Sequence, residues 1–274
     1  MPNTRHAILA RRAALMLCLA AGACAPASPA SVSPASAPPA SGSHASAPAP
    51  ADDPRAMLER AIAQAGGAEA LGRARALLWD GEATVHAGGR TVHIAGSWGV
   101  QPPDTAVVST YDVSRGPEST RALIVAVPRG WIARDTAVTR MPDAMFANER
   151  DEFYLYDVMR LVPLREPRVT LHAIPADSLG QAGFRAERPG RPVVELYFDP
   201  SGRLAHLRTH VQDPGGAGGP AVQQDLWLSG TLQAGSIRWP ASIRITMAGA
   251  PYFDLTLRNL RVQPRLDDPR LRGP

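Results

Sequence analysis

The chain has 274 residues, of which 45% are hydrophobic and 20% charged, and its 29 basic residues are all arginine. The formal net charge is +4, but residues 1–23 carry three arginines and no acid, which leaves +1 for the remainder. So small a charge excludes the basic surface by which nucleic-acid-binding domains are recognised. No apolar run reaches the ~20 residues of a membrane-spanning helix.

The first 23 residues have the pattern of a bacterial export signal. A segment with three arginines precedes an apolar run, residues 13–23, that is too short to span a bilayer. Small residues then lead to Cys24, which resembles a bacterial lipoprotein processing site in which the cysteine is lipidated and becomes the first mature residue. Ordinary cleavage near Ala23 or Ala25 is the alternative.

Cysteine usage agrees with export. Cys18 lies within the signal and Cys24 is the predicted lipid anchor, so the mature domain holds no free thiol. Disulfides, zinc–thiolate sites and cysteine nucleophiles are thereby excluded. After Cys24, residues up to 51 are nearly all Ala, Pro and Ser, a composition typical of a solvated tether.

The globular domain is expected over residues 52–266, with a tail at 267–274. A helix is predicted from Pro54 to the pair Gly66-Gly67, because apolar residues recur on one face between these signals. A second short helix is predicted to place Leu71, Ala74 and Leu78 on one side.

From Trp79 the apolar period changes to two, which predicts β-strands. Gly88-Gly89 predicts a two-residue hairpin turn that pairs Val85 with Val92, Ala83 with Ile94 and Trp79 with Trp98. The alternation recurs along the chain, which favours one large antiparallel sheet with an apolar and a wet face. The further strands are predicted at 107–113, 123–127, 193–199, 204–211, 222–228, 237–247 and 252–262.

Histidines on the predicted wet face are candidate metal ligands. His206 and His210 would lie ~13 Å apart along one strand, too far for one ion, so both are predicted to be solvated. His86 and His93 come near each other across the first hairpin, but no third ligand is in register. No metal site and no cofactor are predicted.

Residues 146–164 interrupt the strands with a helical pattern whose apolar surface is too wide for a surface helix. The apolar face of the sheet is its expected partner. Glu149, Asp151 and Glu152 are predicted to open this helix, where carboxylates favour the positive end of its dipole.

A family resemblance adds to these patterns. The run from Leu58 to Gly81, the helix ending in residues 161–164, and the segments 196–204, 239–243 and 255–262 together resemble the LolA/LolB-type lipoprotein carrier superfamily. The resemblance implies an α+β fold in which a large curved antiparallel sheet, an incomplete β-barrel, carries helices as a lid over an apolar cavity. It also implies that acyl chains or other lipids bind there without catalysis.

The ligand-binding candidates are apolar residues of the sheet's predicted inner face and of the lid. They are Trp79, Val85, Val92, Ile94, Trp98, Phe153, Tyr156, Met159, Leu196, Phe198, Leu207, Phe253, Leu255 and Leu257. The carrier family usually has an arginine after the proline of the segment that here spans 103–107, and this chain has none. A lipid-binding relative is therefore favoured over a true lipoprotein sorter.

Ala25 follows the anchor cysteine in place of the aspartate that typically retains lipoproteins at the inner membrane, so the outer membrane is the expected location. The expected partners are an apolar ligand, the membrane through the N-terminal lipid, and an envelope protein, and the chain is expected to be a monomer. No serine-elbow or zinc-protease pattern occurs, so no catalytic residue is predicted. A non-enzymatic assembly module is the alternative function, and an envelope hydrolase ranks third.

Overall fold

The computed structural model describes residues 53–212 and 221–273. The predicted export signal, the Cys24 anchor and the tether up to residue 51 lie outside the described residues. Within them, no helix combines the length and the apolarity needed to cross a membrane.

The described residues form three α-helices: α1 at Pro54–Gln64, α2 at Ala68–Arg73 and α3 at Asp143–Met159. The Asp53 carboxylate accepts a hydrogen bond from the Arg55 amide and so caps α1. The predicted stop is confirmed: Gly66 has a φ of 118°, and a Cβ there would lie 2.3 Å from the Ser236 carbonyl oxygen. Short 3-10 turns lie at Pro117–Ser119, Val162–Arg165 and Pro269–Arg272.

The rest of the domain is β-structure. The strands are β1 Ala76–Ala87, β2 Arg90–Gln101, β3 Thr105–Asp112, β4 Arg121–Ala126, β5 Arg129–Arg134, β6 Ala137–Arg140, β7 Thr170–Ile174, β8 Gly183–Glu187, β9 Val194–Phe198, β10 Leu204–Gln212, β11 Ala221–Ser229, β12 Leu232–Ala234, β13 Ile237–Trp239, β14 Ser242–Met247 and β15 Ala250–Gln263. Thirteen of these form one antiparallel sheet in the order β6-β5-β4-β3-β2-β1-β15-β14-β11-β10-β9-β8-β7. The sheet ends at β6 and β7 without closing, so the predicted incomplete barrel is confirmed.

The first hairpin has the predicted register. Val85 pairs with Val92, Ala83 with Ile94 and Trp79 with Trp98. The turn glycines Gly88 and Gly89 both have positive φ, which is the requirement of a type I′ turn and the reason that glycine is favoured there.

Several elements differ from the sequence-based prediction. β1 begins at Ala76, so Leu78 belongs to this strand and not to α2. The predicted strand 237–247 is two strands, because Pro240 cannot donate a ladder hydrogen bond. Strands β5 to β8 and the three-residue β12 were not predicted. β6 is exposed throughout and β7 is mostly so, and therefore neither shows a clear apolar alternation.

The core lies between the concave face of the sheet and the helices. Met57, Leu58, Ala61 and Ile62 are the buried residues of α1. A smaller cluster on the opposite face of the sheet includes Leu266, and Leu271 of the last turn packs against it.

Candidate ligand-binding site

The concave face of the sheet is apolar because the strand registers bring matching residues side by side. Ala83 lies between Ile94 on β2 and Leu255 on β15, and Val85 lies between Val92 and Phe253. All of these residues except Ala83 are predicted ligand-binding residues. The alternation of each strand therefore gives one continuous inner surface.

Most of the predicted residues are tightly packed. Ten of them are buried in one continuous core or at its margin: Trp79, Val85, Trp98, Phe153, Met159, Leu196, Phe198, Leu207, Leu255 and Leu257. Ile94, Tyr156 and Phe253 are half-buried, and Val92 is 37% exposed. The inner face is thus filled at one side and keeps accessible apolar surface towards the tip of the first hairpin.

Further apolar side chains share this half-buried region. Val108 is opposite Trp98 and Leu123 is opposite Val108, while Ile245 is opposite Phe253. All three are only partly buried although they face the same side as the core. Phe146, from α3, is half-buried in the same way.

Helix α3 forms the lid over this face. The Tyr156 ring lies 5.4 Å from the Trp79 ring and 6.2 Å from the Phe153 ring, measured between centroids. Burial raises the pKa of Tyr156 well above its usual range, and the nearby Glu152 raises it further. The indole nitrogen of Trp79 is buried and has no hydrogen-bond partner in the described structure.

The C-terminal end of the lid is held by a buried ionic cluster. The Asp157 carboxylate accepts hydrogen bonds from Arg160 at 3.3 Å and from Arg188 at 3.1 Å. Arg188 also donates to Glu166, and Arg160 donates to the Leu71 carbonyl oxygen of α2. Burial raises the pKa of Asp157, and the two guanidinium groups oppose that shift. This end of α3 is therefore fixed to α2 through Arg160 and to the turn after β8 through Arg188.

The segment without the family's arginine makes a different ionic contact. Asp104 lies there, between β2 and β3, and its carboxylate accepts a hydrogen bond from Arg191. The Arg191 guanidinium also lies over the Tyr154 ring of α3, 5.2 Å from its centroid. A cation thus connects this turn to the lid.

The carboxylates of α3 correct a prediction. The helix begins at Asp143, so Glu149, Asp151 and Glu152 lie in its interior turns and do not open it. Burial raises the pKa of Glu149 and of Glu152 to about 7 each. Asp151 also has a raised pKa because of burial, with Arg150 opposing the shift. The sequence pattern did not predict that these acids face the sheet, because apolar residues occur on several sides of this helix.

His206 also corrects a prediction, since it is fully buried and not solvated. Its two ring nitrogens face Asp225 at 2.8 Å and Asp177 at 3.4 Å. His210 is exposed, as predicted. Tertiary contacts from Asp177, which lies in a loop distant in sequence, could not be read from the strand pattern.

The two histidines of the first hairpin have ordinary partners. His86 contacts Asp254 at 3.3 Å and His93 contacts Thr84 at 3.2 Å. No group of three or more potential metal ligands occurs within residues 53–212 and 221–273.

Two cavities lie beside α1. One of about 100 Å³ is lined by Met159 and Trp239, and another of about 440 Å³ is lined by Met57 and Phe198. Neither is lined by the half-buried residues Ile94, Tyr156 or Phe253. The accessible inner surface under α3 is therefore separate from both.

Comparison with solved structures places this architecture among known folds. A domain named for outer membrane lipoprotein sorting, from Vibrio parahaemolyticus, superposes with a TM-score of 0.50 at 11% identity, over 80% of this chain and 97% of that one. The fold is LolA-like. A LolA superfamily protein from Nitrosomonas europaea gives the same TM-score of 0.50 at 9% identity, over 80% of this chain and 96% of that one.

A DUF1329 family protein from Desulfovibrio piger also superposes on this chain, with a TM-score of 0.50 at 11% identity, over 80% of this chain and 97% of that one. No family model and no curated protein matches the sequence. At these identities the likeness establishes the fold, and any binding activity has to be argued from the residues.

Proposed function

We propose that this chain is a cell-envelope lipoprotein that binds acyl chains or another apolar ligand between the concave face of its sheet and the lid helix α3. Its role is in lipoprotein or lipid trafficking at the outer membrane, to which Cys24 anchors it on the periplasmic side. The observation that carries this proposal is the half-buried apolar surface on an inner face that is elsewhere closed.

The physical reason is the cost of leaving such a surface in contact with water. Ile94, Phe253 and Ile245 point into the domain yet retain accessible area. Each Å² of apolar area removed from water contributes about 25 cal/mol. An alkyl chain lying on these residues would remove their remaining surface from water.

The lid can admit such a chain without unfolding the domain. Its C-terminal end is fixed by the Asp157 cluster, whereas Asp143 and Ala144 at its start are exposed. In this proposal the ligand enters beside the exposed start of α3. The proposed division of the chain follows: signal at 1–23, lipid anchor and tether at 24–51, binding domain at 52–266 and tail at 267–274.

The tether sets how far the domain reaches from the membrane. A polyproline-like segment extends ~3.1 Å per residue, so residues 25–51 give a reach of roughly 80 Å. A lipoprotein anchor with several acyl chains holds firmly, whereas a single chain binds only marginally.

A second function is favoured by one observation. Ten of the predicted ligand-binding residues are buried, and a core filled to this extent also suits a non-enzymatic assembly module that docks an envelope partner. Such a module would take up no lipid.

Native mass spectrometry distinguishes the two. The full chain with Cys24→Ser, purified from a bacterial periplasm without detergent, is expected to carry extractable lipid. Ile94→Asp places a charge on the inner face of β2 and is expected to lose it. The control Ser97→Asp lies on the outer face of the same strand, is exposed, and is expected to keep it. A lipid-free mass together with no uptake of a fluorescent fatty acid would favour the assembly module.

A further inference from the structure

The inner face of the domain contains a polar position that an apolar cavity does not need. Gln224 of β11 is 0% exposed and lies on the concave side, next to Leu226 in the alternation of the strand. Its amide nitrogen donates a 2.8 Å hydrogen bond to the Glu152 carboxylate of α3. The lid and the sheet are therefore joined here by one polar contact inside an apolar region.

The Gln224 side chain is incompletely satisfied. Its carbonyl oxygen is buried and has no hydrogen-bond partner in the described structure. An ionised Glu152 can only accept, so the amide nitrogen must face it and the carbonyl oxygen is the atom left over. Buried acceptors of this kind are rare in proteins, and this oxygen can accept from a donor that the described residues do not supply.

Glu152 also lacks a cation. No salt bridge to it is formed within the part of the chain that the structure describes. Besides burial, two groups shift the pKa of Glu152: the hydrogen bond from Gln224 lowers it and the neighbouring acid Asp151 raises it. Glu152 in turn raises the pKa of Tyr156, which lies one turn further along α3. Arg121 of β4 lowers the pKa of Glu149 and not that of Glu152.

Accessible apolar surface adjoins this position. Glu152 is half-buried, so part of its surface stays accessible. Gln224 pairs with Met247 in the sheet, and two residues further along Leu226 pairs with the half-buried Ile245. The polar position thus borders the accessible apolar surface.

We infer that Glu152 and Gln224 bind the protonated amine of an amphiphile whose alkyl chain lies on the concave face. This inference rests on the proposed function and specifies its ligand class. An ammonium group supplies three donors, which satisfy the carboxylate and the unpaired carbonyl oxygen together, and its charge balances Glu152. A fatty carboxylate brings neither donor nor positive charge.

The test compares three probes of one chain length: dodecylamine, dodecan-1-ol and dodecanoate. Their binding to the full chain with Cys24→Ser is measured at pH 8 by titration calorimetry. The amine is expected to bind at least tenfold more tightly than the alcohol, and dodecanoate more weakly than both. Glu152→Gln is expected to lose the preference for the amine over the alcohol. Glu69→Gln, whose side chain is 84% exposed, is the control and is expected to keep the preference.

A second measurement needs no variant. The amine keeps its proton between pH 6 and 8, whereas Glu152, with its pKa raised by burial, ionises in this range. The preference for amine over alcohol is therefore expected to grow as the pH rises. Equal binding of amine and alcohol at pH 8, or a preference that survives in Glu152→Gln, overturns the inference and leaves the proposed function standing. Failure of all three probes to bind overturns both.

Discussion

The His206 imidazole lies face to face with the Trp227 indole, with ring centroids 3.8 Å apart and planes inclined by 7°. The Tyr197 ring covers the other side of the imidazole at 5.1 Å. Both ring nitrogens face carboxylates, Asp225 and Asp177, and a doubly protonated ring can donate to both. His206 therefore joins the loop that contains Asp177 to the outer face of the sheet.

Replacing His206 by phenylalanine keeps the stacked ring and removes both hydrogen bonds. The free energy of unfolding is expected to fall by about 2 kcal/mol, because two shielded carboxylates lose a donor. Asp225 retains Arg208 and Gln223, which limits the loss. Urea denaturation measures the change. His210→Phe, at an exposed position of the same strand, is expected to change stability by less than about 0.5 kcal/mol. Equal effects of the two variants would show that the buried contacts add nothing.

Glu149 gives a stability that depends on pH. Burial, reinforced by Glu152 and opposed by Arg121, raises its folded-state pKa to about 7 from the ordinary value of 4.5. The folded state thus holds this proton more tightly, and the stability so gained is present below pH 4.5 and is lost as the pH rises through 7.

Glu149→Gln keeps the neutral shape and does not ionise. It is expected to match the parent near pH 4 and to be more stable by about 3 kcal/mol at pH 8, since one pKa unit corresponds to about 1.4 kcal/mol. Thermal and urea unfolding across this pH range measure the difference between the two proteins. The exposed Glu69→Gln is the control and is expected to show a flat difference. A flat difference for Glu149→Gln would contradict the raised pKa.

Arg188 is expected to fix the lid. Arg188→Met leaves Asp157, whose side chain is 5% exposed, with Arg160 alone, and removal of one member of a buried ionic cluster costs about 3 kcal/mol. Amide hydrogen exchange is expected to rise in the last turn of α3. Arg168→Met removes an exposed partner of the same Glu166 and is expected to cost less than about 1 kcal/mol. Unchanged exchange in Arg188→Met would mean that apolar packing alone holds the lid.

Two glycines are expected to respond oppositely to alanine. A Cβ at Gly96 would lie 2.0 Å from the Ser109 carbonyl oxygen of the neighbouring strand, so Gly96→Ala must separate β2 from β3 and destabilise the sheet. Gly72 lies in α2 with nothing within 4 Å of an added Cβ. Gly72→Ala is expected to stabilise the domain by about 0.5 to 1 kcal/mol, because alanine loses less entropy in a helix. Thermal unfolding of both variants decides the signs.

The lipid anchor has its own test. The protein expressed in a bacterium with lipoprotein processing is expected to fractionate with the outer membrane and to incorporate labelled palmitate. Cys24→Ser is expected to be soluble and unlabelled, because the acyl chains have no attachment point. Labelled palmitate in Cys24→Ser, or a soluble parent protein cleaved near Ala23, would indicate ordinary secretion.

The sequence alone predicted the elements whose physics is local. The stop at Gly66-Gly67 and the type I′ turn at Gly88-Gly89 follow from the positive φ that glycine adopts easily. The register of the first hairpin then follows from the turn length, and with it the facing of Trp79, Ile94 and Trp98. One-sided alternation was sufficient to predict the large antiparallel sheet.

The tertiary structure decided what depends on residues distant in sequence. His206 alternates with apolar neighbours like a solvated residue, yet Asp177 and Trp227 enclose it. Glu152 belongs to a helix whose pattern does not reveal which face meets the sheet, and only its contact with Gln224, 72 residues away, places it inside. The free energy of burying a polar group depends on its partners, and a periodic pattern records facing but not partners. The sequence therefore determined the first helix, the first hairpin and the sheet's apolar face, and the tertiary structure alone decided which polar groups lie within the domain.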